Sequence, residues 1–126
     1  MSGVKRKLLV VEDNRETQLI IKALFRNEYY TQVVDNVTDA ITHLSQTDFD
    51  LILLDLNLNG GGNGKSLLLQ IRQEEKSHLI PVIIITAYDL TPEDEKYFSE
   101  NANGYIPKPF NKKVLQQTVE KLLAKV

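Results

Sequence analysis

The sequence contains no cysteine. That single absence removes disulfide staples, thiolate nucleophiles, iron–sulfur clusters and cysteine-bearing zinc sites together. Histidine is nearly as scarce: His43 and His78 stand far apart, with no HxxxH or HExxH spacing. A histidine-rich metal site is therefore not expected, and each reads as a surface or half-buried residue. No apolar run is long enough for a signal peptide or a membrane span, since the one after the basic start MSGVKRK stops at Glu12. Nor is there a surplus of positive charge. Lysine and arginine total 15 against 17 aspartates and glutamates, for a net charge of −2. That argues against a protein built mainly to hold nucleic acid or an anionic membrane. The expectation is a soluble, cytoplasmic chain.

What is present fits a packed domain. Hydrophobic residues make up 42% and charged ones 25%, enough for a real core, and 126 residues is the size of one domain, taken as residues 1–126. Short apolar runs stand at 8–11 (LLVV), 51–54 (LILL) and 82–85 (VIII), with a weaker one at 105–106 (YI) and a more polar β-rich stretch at 29–34 (YYTQVV). Unbroken runs of this length suit strands covered on both faces, as in a parallel sheet. Helical spacing lies between them, at Leu19, Ile20, Ala23 and Leu24, at Ala40, Ile41 and Leu44, and at Leu67, Leu68 and Ile71. It is clearest in the last stripe, Val114, Leu115, Thr118, Val119, Leu122 and Leu123. Thr38, Asn63, Thr91 (followed by Pro92) and Asn111 read as caps of the second to fifth helices. Five strands alternating with five helices predict an α/β, doubly wound, open parallel sheet with helices on both faces.

Such sheets bind ligands beyond the C-terminal ends of their strands. There the first predicted strand ends in Glu12-Asp13, the third in Asp55, the fourth in Thr86, and the fifth leads to Lys108-Pro109. An acid at a strand end is ordinarily a turn residue or a helix cap. Three carboxylates, a hydroxyl and an ammonium converging on one edge are another matter. Clustered carboxylates repel one another unless a cation neutralises them. An all-oxygen set of this kind suits Mg²⁺, a hard ion that takes a few carboxylates and keeps several waters.

The motifs LVVEDN around Asp13, LILLDLNL around Asp55, PVIIITA around Thr86 and GYIPKPF around Lys108 resemble, end to end, a receiver domain of two-component signalling. The separations of 42, 31 and 22 residues between Asp13, Asp55, Thr86 and Lys108 fit that family. The resemblance implies a flavodoxin-like sheet of strand order 2-1-3-4-5. It implies that Asp55 is the phosphoacceptor. Asp13, Asp55 and the Asn57 carbonyl would ligate Mg²⁺, with Glu12 acting largely through water. Lys108 would offset phosphoryl charge, and a cis Lys108-Pro109 bond would aim it. Thr86 would hydrogen-bond the phosphoryl group and Tyr105 turn inward in response, while Asn57 and Tyr88 would tune the lifetime of the phosphorylated form. The implied partners are a histidine kinase or histidine phosphotransfer protein as donor and a downstream effector protein or domain. Direct binding of nucleic acid or membrane is not expected. Slow self-dephosphorylation, without conventional enzyme activity, is implied, as is a phosphorylation-dependent homodimer through the fourth helix, fifth strand and fifth helix.

One stretch departs from the family pattern. Asn59 stands where the family usually has proline, and Gly60–Gly64 makes the loop one residue longer, which predicts a looser loop. The same stretch, ending Gly64-Lys65-Ser66, imitates a phosphate-binding P-loop, but the required first glycine falls on Asn59. A nucleotide binder is thus one alternative, and a receiver-shaped interaction module that is never phosphorylated is another. Basic residues left over (Lys5, Arg6, Lys7, Lys112 and Lys113) read as a solvated terminus and loop.

Overall fold

In the computed structural model, which describes residues 5–58, 64–87 and 90–124, the apolar runs and the stretch at 29–34 become strands. β1 (Arg6–Val11), β2 (Tyr29–Val34), β3 (Leu51–Leu54), β4 (Val82–Thr86) and β5 (Gly104–Pro107) alternate with α1 (Arg15–Phe25), α2 (Val37–Gln46), α3 (Gly64–Gln73), α4 (Pro92–Asn101) and α5 (Lys112–Leu123). The strands form one sheet of order β2-β1-β3-β4-β5, parallel throughout. This is the doubly wound, flavodoxin-like architecture expected from the sequence.

Alternation along the strands divides the interior in two. Leu9, Val11, Ile52, Leu54, Val82 and Ile84 face α2, α3 and α4, meeting Leu44, Leu68, Ile71 and Phe98. Leu8, Val10, Leu51, Leu53, Ile83 and Ile85 face α1 and α5, meeting Ile21, Phe25, Leu115 and Val119. Both faces of the central strands are therefore dry, which is why their sequences show no polar alternation.

Three local readings need correction. The buried residues of α1 are Ile21 and Phe25, four apart on one side, whereas Leu19 is left exposed. Two positions along a helix turn a side chain by roughly 200°, so burying Ile21 puts Leu19 in solvent. In α2 the cap is Asn36 and not Thr38. Asn36 is extended and its side-chain oxygen accepts from the Asp39 amide at 2.8 Å, while Thr38 already lies within the helix. Thr91 and Asn111 do cap α4 and α5; Asn63 lies outside the described residues. Arg6 also departs from the solvated reading, because its guanidinium donates to the Leu123 carbonyl at 2.9 Å and ties the start of β1 to the end of α5.

No helix among the described residues is long and apolar enough to cross a membrane.

Candidate functional site

The backbone ladder carries four chemically active residues to one edge. The Glu12 amide donates to the Val34 carbonyl at 2.9 Å, so β1 stays attached to β2 one residue past its end. The Asp55 amide donates to the Val11 carbonyl at 2.9 Å, setting Asp55 beside Glu12. Lys108 leaves β5 with its amide on the Thr86 carbonyl at 3.0 Å. Thr86, Glu12 and Asp55 are all buried, at 0%, 2% and 4% exposure, among a handful of polar residues that are. Burial of two carboxylates without compensation is costly, so their partners matter.

The chief partner is Lys108. Its Nζ lies 2.8 Å from Glu12 Oε1 and 2.9 Å from Asp55 Oδ2, bridging the pair. The peptide bond from Lys108 to Pro109 is cis. Asn14 donates its amide to Glu12 Oε2 at 2.9 Å, and Asn57 donates its amide to Asp55 Oδ1 at 3.0 Å. Glu12 is nonetheless pushed up to about 7: burial is the largest cause and the charge of Asp55 adds to it, against the hydrogen bonds from Lys108 and Asn14. For Lys108, burial favours the neutral amine, but hydrogen bonds to Glu12 and Asp55 outweigh it and hold the ammonium above its ordinary value.

Asp13, half-buried, completes the cluster. Carboxylate oxygens of Glu12, Asp13 and Asp55 all lie within 4.8 Å of one another. Three carboxyl oxygens at such spacing, beside a carbonyl-bearing turn at Asn57, form a hard donor set that fits Mg²⁺ and suits no soft metal. Tyr105 stands apart from this cluster, 41% exposed, on the side of β5 that lines a groove with Leu90 and Phe98. Tyr88 and residues 59–63, on which the lifetime and loop expectations rest, lie outside the described residues.

Two residues at the site have roles that spacing did not announce. Asn14 caps α1 through Thr17 while its own amide holds Glu12. Gly64 opens α3 with its amide on the Leu56 carbonyl at 3.0 Å. A Cβ there would meet the Asp55 carbonyl oxygen at 2.5 Å and the Leu56 Cα at 2.6 Å, so only glycine lets α3 start against the exit of β3. Gly64→Ala is expected to destabilise the chain by about 1–3 kcal/mol, as overpacking does. Urea unfolding would show it, and an unchanged midpoint would mean that the backbone here yields easily. Lys65, the apparent P-loop lysine, is engaged elsewhere: its Nζ lies 2.9 Å from Asp94 Oδ1 on α4.

Comparison with known proteins now decides the family. The family model for the response regulator receiver domain matches residues 8–120. The chain belongs to that family. It is 32% identical over 122 residues to the chemotaxis protein CheY of Pseudomonas aeruginosa, covering 95% of this chain and 98% of that protein. It is 28% identical to the phosphate regulon transcriptional regulatory protein PhoB of Escherichia coli, over 96% of this chain and 53% of that regulator. Among solved structures, the receiver domain of a Pseudomonas aeruginosa sensor histidine kinase superposes with a TM-score of 0.85 at 29% identity, covering 96% of this chain and 99% of that one. That structure was solved with a magnesium ion coordinated in its active site cleft. The receiver fold and the acidic cluster at its strand ends are thus those of two-component signalling.

Proposed function

We propose that the chain works as a single phosphorylation switch, in which Asp55 accepts a phosphoryl group from a phosphohistidine on a histidine kinase or a histidine phosphotransfer protein. The observation that carries this reading is the Lys108 ammonium seated between Glu12 and Asp55 at a buried strand end. A carboxylate oxygen of Asp55 bonds to phosphorus as the donor's phosphorus–nitrogen bond breaks, and the imidazole keeps the electron pair and takes a proton. The product is an acyl phosphate on Asp55.

The residues do little covalent work beyond this; they position and neutralise. Lys108 already touches Asp55 Oδ2, so its charge lies beside the oxygens of an arriving phosphoryl group. The Asn57 amide fixes the carboxylate through its other oxygen. Asp13, Asp55 and the Asn57 carbonyl, with Glu12 through water, would hold Mg²⁺, which when bound offsets charge on the phosphoryl oxygens. Asn57, exposed at the mouth of the site, and Tyr88 govern how readily water reaches the acyl phosphate, and hence its slow hydrolysis.

Thr86 and Tyr105 convert the new charge into a change of shape. A hydroxyl drawn toward the phosphoryl group vacates space beside β5, and Tyr105 turns into it, altering the α4–β5–α5 face. An effector protein or domain, or a second phosphorylated copy, reads that face.

The test is intact mass after incubation with Mg²⁺ and acetyl phosphate, with Asp55→Asn alongside. One phosphoryl group on the wild type only, abolished by chelation, is the expected result. A folded chain that binds no Mg²⁺ and takes no adduct would favour the other reading, a receiver-shaped interaction module that works unphosphorylated.

A further inference from the structure

α4 is the least anchored helix of the fold. It buries one side chain, Phe98, where every other helix buries two or more. Much of what holds it comes from α3, at both ends. At the C-terminal end, Arg72 Nε donates to the Asn101 carbonyl at 2.7 Å, and the same guanidinium donates to the Ile80 carbonyl at 2.7 Å. This is a half-buried fixture shared with the loop before β4.

The N-terminal attachment is different in kind. Lys65 Nζ sits 2.9 Å from Asp94 Oδ1 and 5.0 Å from the centre of the Tyr97 ring. Asp94 and Tyr97 are three residues apart and lie on one side of α4, so a single ammonium grips both. Lys65 remains half-exposed while Asp94 is largely covered. A surface ion pair backed by a ring is strong enough to bias a position and weak enough to open.

What makes this attachment consequential is its origin. Lys65 directly follows Gly64, whose amide is bonded to the Leu56 carbonyl and whose Cα rests on the Asp55 carbonyl with no room for a methyl group. The backbone leaving Asp55 and the backbone bearing Lys65 therefore move together. Lys65 thus links the β3 exit to the N-terminal end of α4, as Arg72 links α3 to its other end, by contacts that involve neither Thr86 nor Tyr105.

We infer that Lys65 is a clasp that ties the N-terminal end of α4 to the exit of β3, favouring the α4 position of the unmodified chain and opening in step with phosphorylation of Asp55. The inference rests on the proposed phosphoacceptor role of Asp55. By linkage, a clasp that favours the unmodified state opposes phosphorylation, and its removal promotes it.

The test uses the full chain as wild type, Lys65→Gln, Asp94→Asn and the double variant. Two readouts are taken: amide hydrogen exchange across residues 94–101, and the initial rate of adduct formation from acetyl phosphate with Mg²⁺. Each single variant is expected to raise both by about 2- to 5-fold, the range open to an exposed pair, and the double variant by no more than the larger single. The direction for Lys65→Gln is diagnostic. Loss of a cation near the site would slow an anionic donor by simple attraction, whereas an opened clasp speeds it. If the wild type takes the phosphoryl group but Lys65→Gln reacts no faster, or if the single effects add in the double variant, the clasp is overturned alone. If the wild type takes none, the receiver chemistry falls and the coupling with it.

Discussion

Lys108→Ala is expected to slow phosphoryl transfer to Asp55 by at least about a hundredfold, and to destabilise the metal-free chain by about 2–4 kcal/mol. The first figure follows from the loss of a charged donor positioned on the reacting carboxylate. The second follows from what remains behind. Glu12 and Asp55 are almost wholly buried, and the ammonium that bridges them at 2.8 and 2.9 Å offsets both charges. Breaking a buried pair by removing one partner costs roughly 3–5 kcal/mol, and the 18% of the Lys108 side chain still in solvent reduces that somewhat. Glu12 can relieve the strain by taking up a proton, so the loss should be larger at pH 8 than at pH 6. Lys108→Arg separates the two effects. It keeps the charge, and with it part of the stability, but a planar guanidinium does not fit a site shaped for a point charge, so transfer stays slow. Urea unfolding in a chelating buffer at both pH values, with adduct formation followed by mass, checks each part. An alanine variant as stable as the wild type at pH 8 would mean that water already neutralises the two carboxylates.

How much of this was open to reading depends on the distance over which each feature is determined. The central strands were legible because β1, β3 and β4 are dry on both faces, which leaves uninterrupted apolar runs. β5 was fainter, since of its four residues only Ile106 is buried. The candidate site was legible by placement: a parallel sheet brings every strand end to one edge, so Glu12, Asp55, Thr86 and Lys108 had to meet. Their pairing was not legible. That Lys108 lies between Glu12 and Asp55, and not on Asp13, is fixed by the path of the loop after β5 and by rotamers. Gly64 read as one glycine among several, since only the packing of α3 against β3 shows that a Cβ cannot fit there. Lys65 and Asp94 are 29 residues apart on different helices, and Arg72 reaches carbonyls at the end of α4 and in the loop before β4. Periodicity reports which face of a helix is inward. It does not report what a long polar side chain on the rim will reach, nor does it distinguish Asn36 from Thr38 as a cap two residues apart.

Glu12 leads to the second large effect, a stability profile of unusual sign. Its carboxyl is raised from an ordinary 4.5 to about 7, chiefly by burial, with the charge of Asp55 adding. Between those two pH values the folded chain holds a proton that the unfolded chain has released. The stabilisation from this group is therefore complete below about pH 4.5 and is lost as pH rises through about 7. This is opposite to the usual salt-bridged carboxylate, whose contribution is lost on acidification, because at Glu12 burial outweighs the pair with Lys108. At about 1.4 kcal/mol per unit, the full contribution is on the order of 3 kcal/mol. Glu12→Gln is expected to remove this dependence. In a chelating buffer the variant should exceed the wild type by about 1–3 kcal/mol at pH 8 and by less than about 1 kcal/mol at pH 5, where the folded carboxyl is largely neutral and the pH is only just above the ordinary carboxyl value. Urea unfolding at intervals from pH 5 to 8 measures the difference, and titrating groups remote from Glu12 cancel between the two chains. Mg²⁺ requires the charged carboxylate and so reverses the preference. Its affinity for the wild type should fall as pH drops below about 7, with proton release on binding at pH 6, seen by calorimetry in buffers of different ionisation enthalpy. Glu12→Gln should bind Mg²⁺ more weakly, with little dependence on pH across that range. A wild type whose Mg²⁺ affinity is flat from pH 5 to 8 would place Glu12 outside the metal's reach and leave Asp13 and Asp55 to hold the ion.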